Sequence, residues 1–129
     1  MQARPHYEIR VKTRFSAAHH LRGYPGDCAQ PHGHNWTVEV RVAADGLDGV
    51  GISRDFREVK AAVNEAIAGW DHRDLNALPE FQAENPSAEN LARHLYRALS
   101  ARLNSGGCRV AKVRVGETPA YSASYWENA

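Results

Sequence analysis

Apolar and polar residues alternate through "YEIRVKTRF", Tyr7 to Phe15. Tyr7, Ile9 and Val11 fall on one side, with charged residues between them. A period of two predicts a strand with one face buried. The rhythm returns in "NWTVEVRVAA", where Trp36, Val38, Val40 and Val42 alternate with Thr37, Glu39 and Arg41, before the turn-rich "ADGLDGVG". A loop over residues 17 to 33 is expected to join these strands. The period then lengthens. Phe56, Val59, Val63, Ala66 or Ile67, and Trp70 recur at helical spacing behind Ser53 or Asp55, either of which can cap the start. "NALPEFQAENPS" reads as a connector. Ser87 caps a second predicted helix with Glu89 in its first turn, a stripe of Leu91, Leu95, Leu99 and Leu103, and Gly106-Gly107 as its stop. Cys108–Val115 and Tyr121–Trp126 are predicted strands, linked through "GETPAY".

The order ββααββ predicts an α+β fold: a four-stranded antiparallel sheet built from hairpins, with two helices on one face. The helices cover only that face. The other is expected to carry aliphatic or aromatic side chains from alternate strand positions and to be buried by self-association.

Composition narrows the class. The chain has 129 residues, 43% hydrophobic and 24% charged, which suits one packed domain over residues 1–129. Repeats, low-complexity tracts and linkers are not evident. A formal net charge of +1 gives no electrostatic footprint for nucleic acid or a membrane surface. The N-terminal residues do not read as a signal peptide, and no apolar run approaches the roughly 20 residues of a membrane helix. A cytoplasmic enzyme or binding domain is expected. Cys28 and Cys108 do not make a disulfide framework; Cys108 reads as a buried strand residue.

Chemistry concentrates in one place. Of seven histidines, His19, His20, His32 and His34 fall within sixteen residues, and Cys28 lies among them in "CAQPHGH". On an extended strand His32 and His34 point to one side, with Gly33 between them. If the first two strands pair antiparallel, the end of one lies beside the start of the other, and His19 comes within reach. Parity favours His19 over His20, because Phe15, Ala17 and His19 share a side. Three neutral imidazoles suit Zn²⁺ and leave its fourth position open. Cys28 can close such a site as a fourth ligand. It can also stand off the metal as a base, its thiol pKa lowered from about 8.5 by cationic neighbours. Asp71-His72 after the first helix fits either a hydrogen-bonded corner or a proton relay. Glu117, just before a Pro turn, fits either a solvated carboxylate or an anchor for a planar pair of N–H donors. Arg14, Arg22, Lys112 and Arg114 are candidates to meet phosphate, and each also fits a solvated charge.

Taken in order, "FSAAH", "CAQPHGHNW", "DFREVK", "WDHRDLN", "ENPSAENLA" and "VGETP" resemble the 6-pyruvoyl-tetrahydropterin synthase / 6-carboxytetrahydropterin synthase family, from about Tyr7 to Trp126. The resemblance implies the tunnelling fold, trimers stacked as a homohexamer, and active sites at subunit interfaces. It implies His19, His32 and His34 as zinc ligands and Cys28 as a catalytic base. It implies Asp71 and His72 as a relay reaching in from a neighbouring subunit, and Glu117 as the pterin anchor. Ser87 and Ala88 stand where the family often has threonines beside the pterin; Ala88 has no hydroxyl to offer. Two departures are His20 after the first ligand and Gly116 before Glu117, where lysine is frequent. Three residues, Ala29-Gln30-Pro31, separate Cys28 from the HGH. That spacing resembles the carboxy-forming branch of queuosine biosynthesis, which converts 7,8-dihydroneopterin triphosphate to a 6-carboxytetrahydropterin, acetaldehyde and triphosphate. Two other readings stay open: the pyruvoyl-forming reaction on the same substrate, and a non-catalytic, zinc-stabilised oligomeric pterin-binding protein.

Overall fold

Alternation through the N-terminal third folds as two long antiparallel strands. In the computed structural model, which describes residues 2–128, β1 is Tyr7–His19 and β2 is His32–Ala44, each of 13 residues. Both run further into the histidine region than hydrophobic patterning suggested, so the loop shrinks to residues 20–31. The added residues include Ala17, Ala18, Gly33 and His34, which carry little strand signal and are held by cross-strand pairing instead.

The helices α1 (Phe56–Ile67) and α2 (Ala88–Leu103) follow their apolar stripes. Asp55 caps α1 by accepting from the Arg57 N–H at 2.8 Å. Ser87 caps α2 by accepting from the Asn90 N–H at 3.1 Å. In α1 the stripe is Val59, Ala62, Val63 and Ile67, whereas Phe56 is 60% exposed and does not belong to it. Trp70 lies beyond the helix yet is still buried.

The chain then makes β3 (Arg73–Asp74) and closes with β4 (Cys108–Thr118) and β5 (Tyr121–Tyr125). The sheet is five-stranded in the order β3-β1-β2-β4-β5, with β3 parallel to β1. The expected four-stranded antiparallel sheet is therefore extended by one short parallel strand. Two residues are too few to show a period. What makes this strand is a kink: His72 adopts φ 60°, and its N–H donates to Ser16 O at 2.6 Å.

Both helices and the inward faces of the strands form one core, which includes Phe15, Trp36, Val40, Val63, Leu95, Leu99 and Val113. A bulge between the Arg41 and Val42 rows lets Val110 and Val113 both face inward although they are three residues apart. The outer face departs from expectation. It carries Arg10, Lys12, Arg14, Thr37, Glu39, Arg41 and Arg114 rather than aliphatic or aromatic side chains. The alternation that buries one face makes the other polar, so no apolar sheet surface needs a partner here. Glu39 is buried within this face, 3.2 Å from Arg41 Nε, 3.6 Å from Arg10 and 3.8 Å from Lys12. Burial works against its charge, but the Arg41 hydrogen bond and the three cations outweigh it and hold its pKa below the ordinary value.

Truncating the core separates the two kinds of apolar position. Leu99→Ala is expected to lower unfolding free energy by about 2–5 kcal/mol. Phe56→Ala is expected to change it by less than about 0.5 kcal/mol; urea titration measures both. For Glu39, the folded state binds fewer protons than the unfolded chain. Its stabilisation is complete above the ordinary carboxyl pKa of 4.5 and is lost as pH falls through the lower folded value. Glu39→Gln is expected to lose stability less steeply than wild type below that pH. Equal slopes in urea titrations at stepped pH contradict it.

Candidate metal centre

The β1–β2 register sets three imidazoles at one corner of the core. Phe15 pairs with Trp36, Ala17 with His34, and His19 with His32. All of these side chains share the helix-covered side of the sheet. The small Ala17 opposite His34 leaves room for its ring, and Trp36 forms the floor, with ring centroids 4.8 Å from His19 and 5.1 Å from His34. Trp36 is itself fixed by donating Nε1–H to Ala17 O at 3.2 Å.

Backbone carbonyls choose the tautomers. His19 Nδ1 is 2.7 Å from Pro86 O, just ahead of α2, and His32 Nδ1 is 2.7 Å from Gln30 O. A carbonyl can only accept, so Nδ1 carries the proton in each case and a neutral ring keeps its lone pair on Nε2. Such outer hydrogen bonds orient the histidines of metal sites.

Glu117 completes the corner. Alternation along β4 carries Val113, Val115 and Glu117 inward, and a bulge between Gly116 and Thr118 leaves Glu117 without a β5 partner. Its Oε1 lies 3.1 Å from His19 Nε2 and 3.2 Å from His34 Nε2. Neither contact has the direction of a hydrogen bond, so both buried ring nitrogens lack a hydrogen-bond partner. One ligand atom from each of His19, His32, His34 and Glu117 lies within 4.8 Å of the others. Converging lone pairs on orphaned, buried nitrogens are what a cation would satisfy, so the cluster could hold a metal ion. Burial is the largest influence on His19 and His34 and lowers both pKa values. For His19 the Pro86 contact and Glu117 oppose it while the other two imidazoles reinforce it; for His34 Glu117 opposes and His32 reinforces it. Both shifts favour the neutral ring, the form a metal needs.

The other predicted residues fall outside this group. Cys28 sits exposed on a 3₁₀ turn, Asp27–Ala29, its carbonyl accepting from the Leu21 N–H at 2.8 Å. Asp71 and His72, adjacent in sequence, do meet: Asp71 Oδ1 is 3.0 Å from His72 Nδ1, made possible by the left-handed backbone at His72. Asp71 Oδ1 also accepts from the Ser16 N–H at 3.0 Å, which with His72 lowers its pKa. His72 and His34 line one cleft of about 470 Å³ across the end of β1. Ser87 acts as a helix cap beside the Pro86 carbonyl that orients His19. His20 is not a member of the metal group; its backbone is bracketed by buried Asn76, through N–H to Oδ1 at 2.8 Å and Nδ2 to O at 3.0 Å. Arg22 is also committed elsewhere: it donates to Asn85 Oδ1 and to the carbonyls of Phe81 and Glu84. Lys112 lies over the Trp126 ring, 4.3 Å from its centroid. Glu117 as a neighbour of the imidazoles was not legible in advance, since only the β2–β4 pairing brings it there.

A model of the family described as 6-pyruvoyl tetrahydropterin synthase matches residues 8–128. The chain belongs to this family. Among its relatives, a protein of Archaeoglobus fulgidus named putative 6-carboxy-5,6,7,8-tetrahydropterin synthase is 37% identical over 109 residues, covering 84% of this chain and 86% of the relative. The Bacillus subtilis 6-carboxy-5,6,7,8-tetrahydropterin synthase is 33% identical, over 88% of this chain and 80% of the relative. That of Aquifex aeolicus is 32% identical, over 94% and 98%. In structure, the 6-pyruvoyl tetrahydropterin synthase of Caenorhabditis elegans superposes with a TM-score of 0.84 at 23% identity, covering 99% of this chain and 100% of that one, which shows the shared fold. No helix among the described residues is long and apolar enough to cross a membrane.

Removing single imidazoles tests the corner within this family fold. His19→Ala and His32→Ala are each expected to weaken zinc binding beyond the about 10- to 100-fold loss typical of breaking a supporting hydrogen bond. His20→Ala is expected to leave it unchanged. Competition against a chromophoric chelator reads all three, and a larger loss in His20→Ala than in His19→Ala contradicts the assignment.

Proposed function

We propose that the chain is a zinc-dependent 6-carboxy-5,6,7,8-tetrahydropterin synthase, a carbon–carbon lyase of queuosine biosynthesis. It converts 7,8-dihydroneopterin triphosphate to 6-carboxytetrahydropterin, acetaldehyde and triphosphate. The observation that carries this is the trio of converging imidazoles, with the buried Nε2 atoms of His19 and His34 orphaned, in a chain whose relatives of that name match most of its length. The three-residue spacing between Cys28 and the HGH agrees with it.

His19, His32 and His34 would hold zinc, which supplies Lewis acidity that lowers the pKa of a coordinated hydroxyl. Glu117, whose two close contacts both use Oε1, receives the paired N–H groups of the pterin edge, a strong and orienting interaction. Ser87 lines the pterin beside it. Cys28, free of the ligand group and exposed, takes the substrate C–H proton as a thiolate. His72 returns a proton, its ring aligned by Asp71. The exposure of Cys28 and of His72, whose side chain is 82% exposed, fits a site completed by a neighbouring copy. A homo-oligomer, trimer or hexamer, is supported by the sheet edges. Among the described residues, β1 is paired on its outer side only at Ala17 and Ala18, and β5 has no outer partner. The same reading places this chemistry in the cytoplasm.

Cys28→Ala is expected to retain zinc while acetaldehyde release from dihydroneopterin triphosphate falls by about a hundredfold or more. Loss of the metal in this variant would make Cys28 a ligand and sink the mechanism. A wild-type product lacking acetaldehyde would favour the pyruvoyl-forming reaction instead. A metal-loaded protein that turns over no pterin triphosphate would favour the binding-protein reading.

A further inference from the structure

The outer face of the sheet, opposite the imidazoles, holds a second built feature. Two cross-strand rows lie side by side on it. One runs Lys12–Glu39–Arg114 and the next Arg14–Thr37–Gly116. Where every neighbouring position offers a side chain, Gly116 offers none. A Cβ placed there would stand 2.2 Å from Thr37 Oγ1, so the Thr37 hydroxyl occupies the space over a bare backbone. Beside this close contact lies a cleft of about 530 Å³, with Lys60 of α1 contributing from one side and Thr118 and Ser122 from the other.

Its charge is one-sided. Four cations, Lys12, Arg14, Lys60 and Arg114, line it against a single carboxylate, Glu39. That carboxylate is already matched by Arg10, Lys12 and Arg41. Among the described residues, Arg14, Lys60 and Arg114 have no carboxylate within ion-pair distance. Two hydroxyls keep protons to donate. Ser122 Oγ accepts from Arg114 Nε at 2.9 Å, and Thr118 Oγ1 accepts from the Ala120 and Tyr121 N–H groups at 3.2 Å. Guanidinium forks beside free hydroxyl donors match the oxygens of linked phosphates. The volume is that of a small-ligand site rather than a groove for a duplex.

We propose that this cleft binds a linear phosphate chain, as free triphosphate or as the triphosphate of a nucleotide, at a site separate from the metal centre. The proposal does not depend on the pterin chemistry, because no residue of the metal group lines the cleft.

Isothermal titration at low ionic strength tests it, with sodium triphosphate, ATP and a single-stranded DNA oligonucleotide as probes and the metal-loaded protein in the cell. Saturable binding of triphosphate, one per chain, is expected. The double variant Arg14→Gln/Arg114→Gln changes only exposed side chains, and its circular dichroism should match wild type. Its affinity is expected to fall about tenfold or more. His32→Ala is expected to bind triphosphate as wild type does. Equal affinity for triphosphate and ATP assigns the cleft to the free anion, and tighter ATP assigns it to a nucleotide; either supports the site when the double variant loses it. The proposal is overturned by absence of saturable binding or by an unchanged double variant. Loss in His32→Ala alone, which places the anion on the metal, also overturns it, as does tighter binding of the oligonucleotide than of either small probe.

Discussion

The pairing register of β1 and β2 is the constraint on which the centre depends. One alignment sets His19 beside His32 and Ala17 beside His34, and aims all three imidazoles at the same core-side corner. A slip of one residue would turn a strand's whole set of side chains to the other face. The core prevents that slip, because the same parity that points the histidines inward also buries Phe15, Trp36, Val38 and Val40. The imidazole corner is the polar end of a hydrophobic register. It costs no separate ordering of the backbone, and its rings are steered by the carbonyls of Pro86 and Gln30 and by contact with Trp36.

Much of this was legible in the chain itself. The strand and helix periods, the Asp55 and Ser87 caps, the leucine stripe of α2 and the choice of His19 over His20 all follow from spacing and parity. Three features were not legible, for different reasons. The two-residue β3 has no period, and its existence depends on the left-handed backbone of His72. The place of Glu117 among the imidazoles comes from pairing across β2 and β4, which sequence proximity does not report. The polar outer face was legible in principle: the arginines and lysines of β1 and β4 alternate with the valines. The expectation of an apolar surface came from counting sheet faces rather than from reading those positions.

Gly116 and Glu117 show how close opposite roles can lie. Successive strand residues point to opposite faces. Glu117 joins the buried corner on the helix side, while Gly116 lines the cationic cleft on the outer side. The sheet thus separates two polar environments by the thickness of one backbone: imidazoles on one face, and guanidinium and ammonium groups around the Glu39 carboxylate on the other.

The central claim is that His19, His32 and His34 hold the metal while Cys28 stays off it. X-ray absorption of the zinc-loaded protein tests this most directly, since sulfur and nitrogen scatter at different distances. The account predicts imidazole nitrogens at about 2.0–2.1 Å with the remaining ligation from oxygen. A sulfur shell at about 2.3 Å would contradict it.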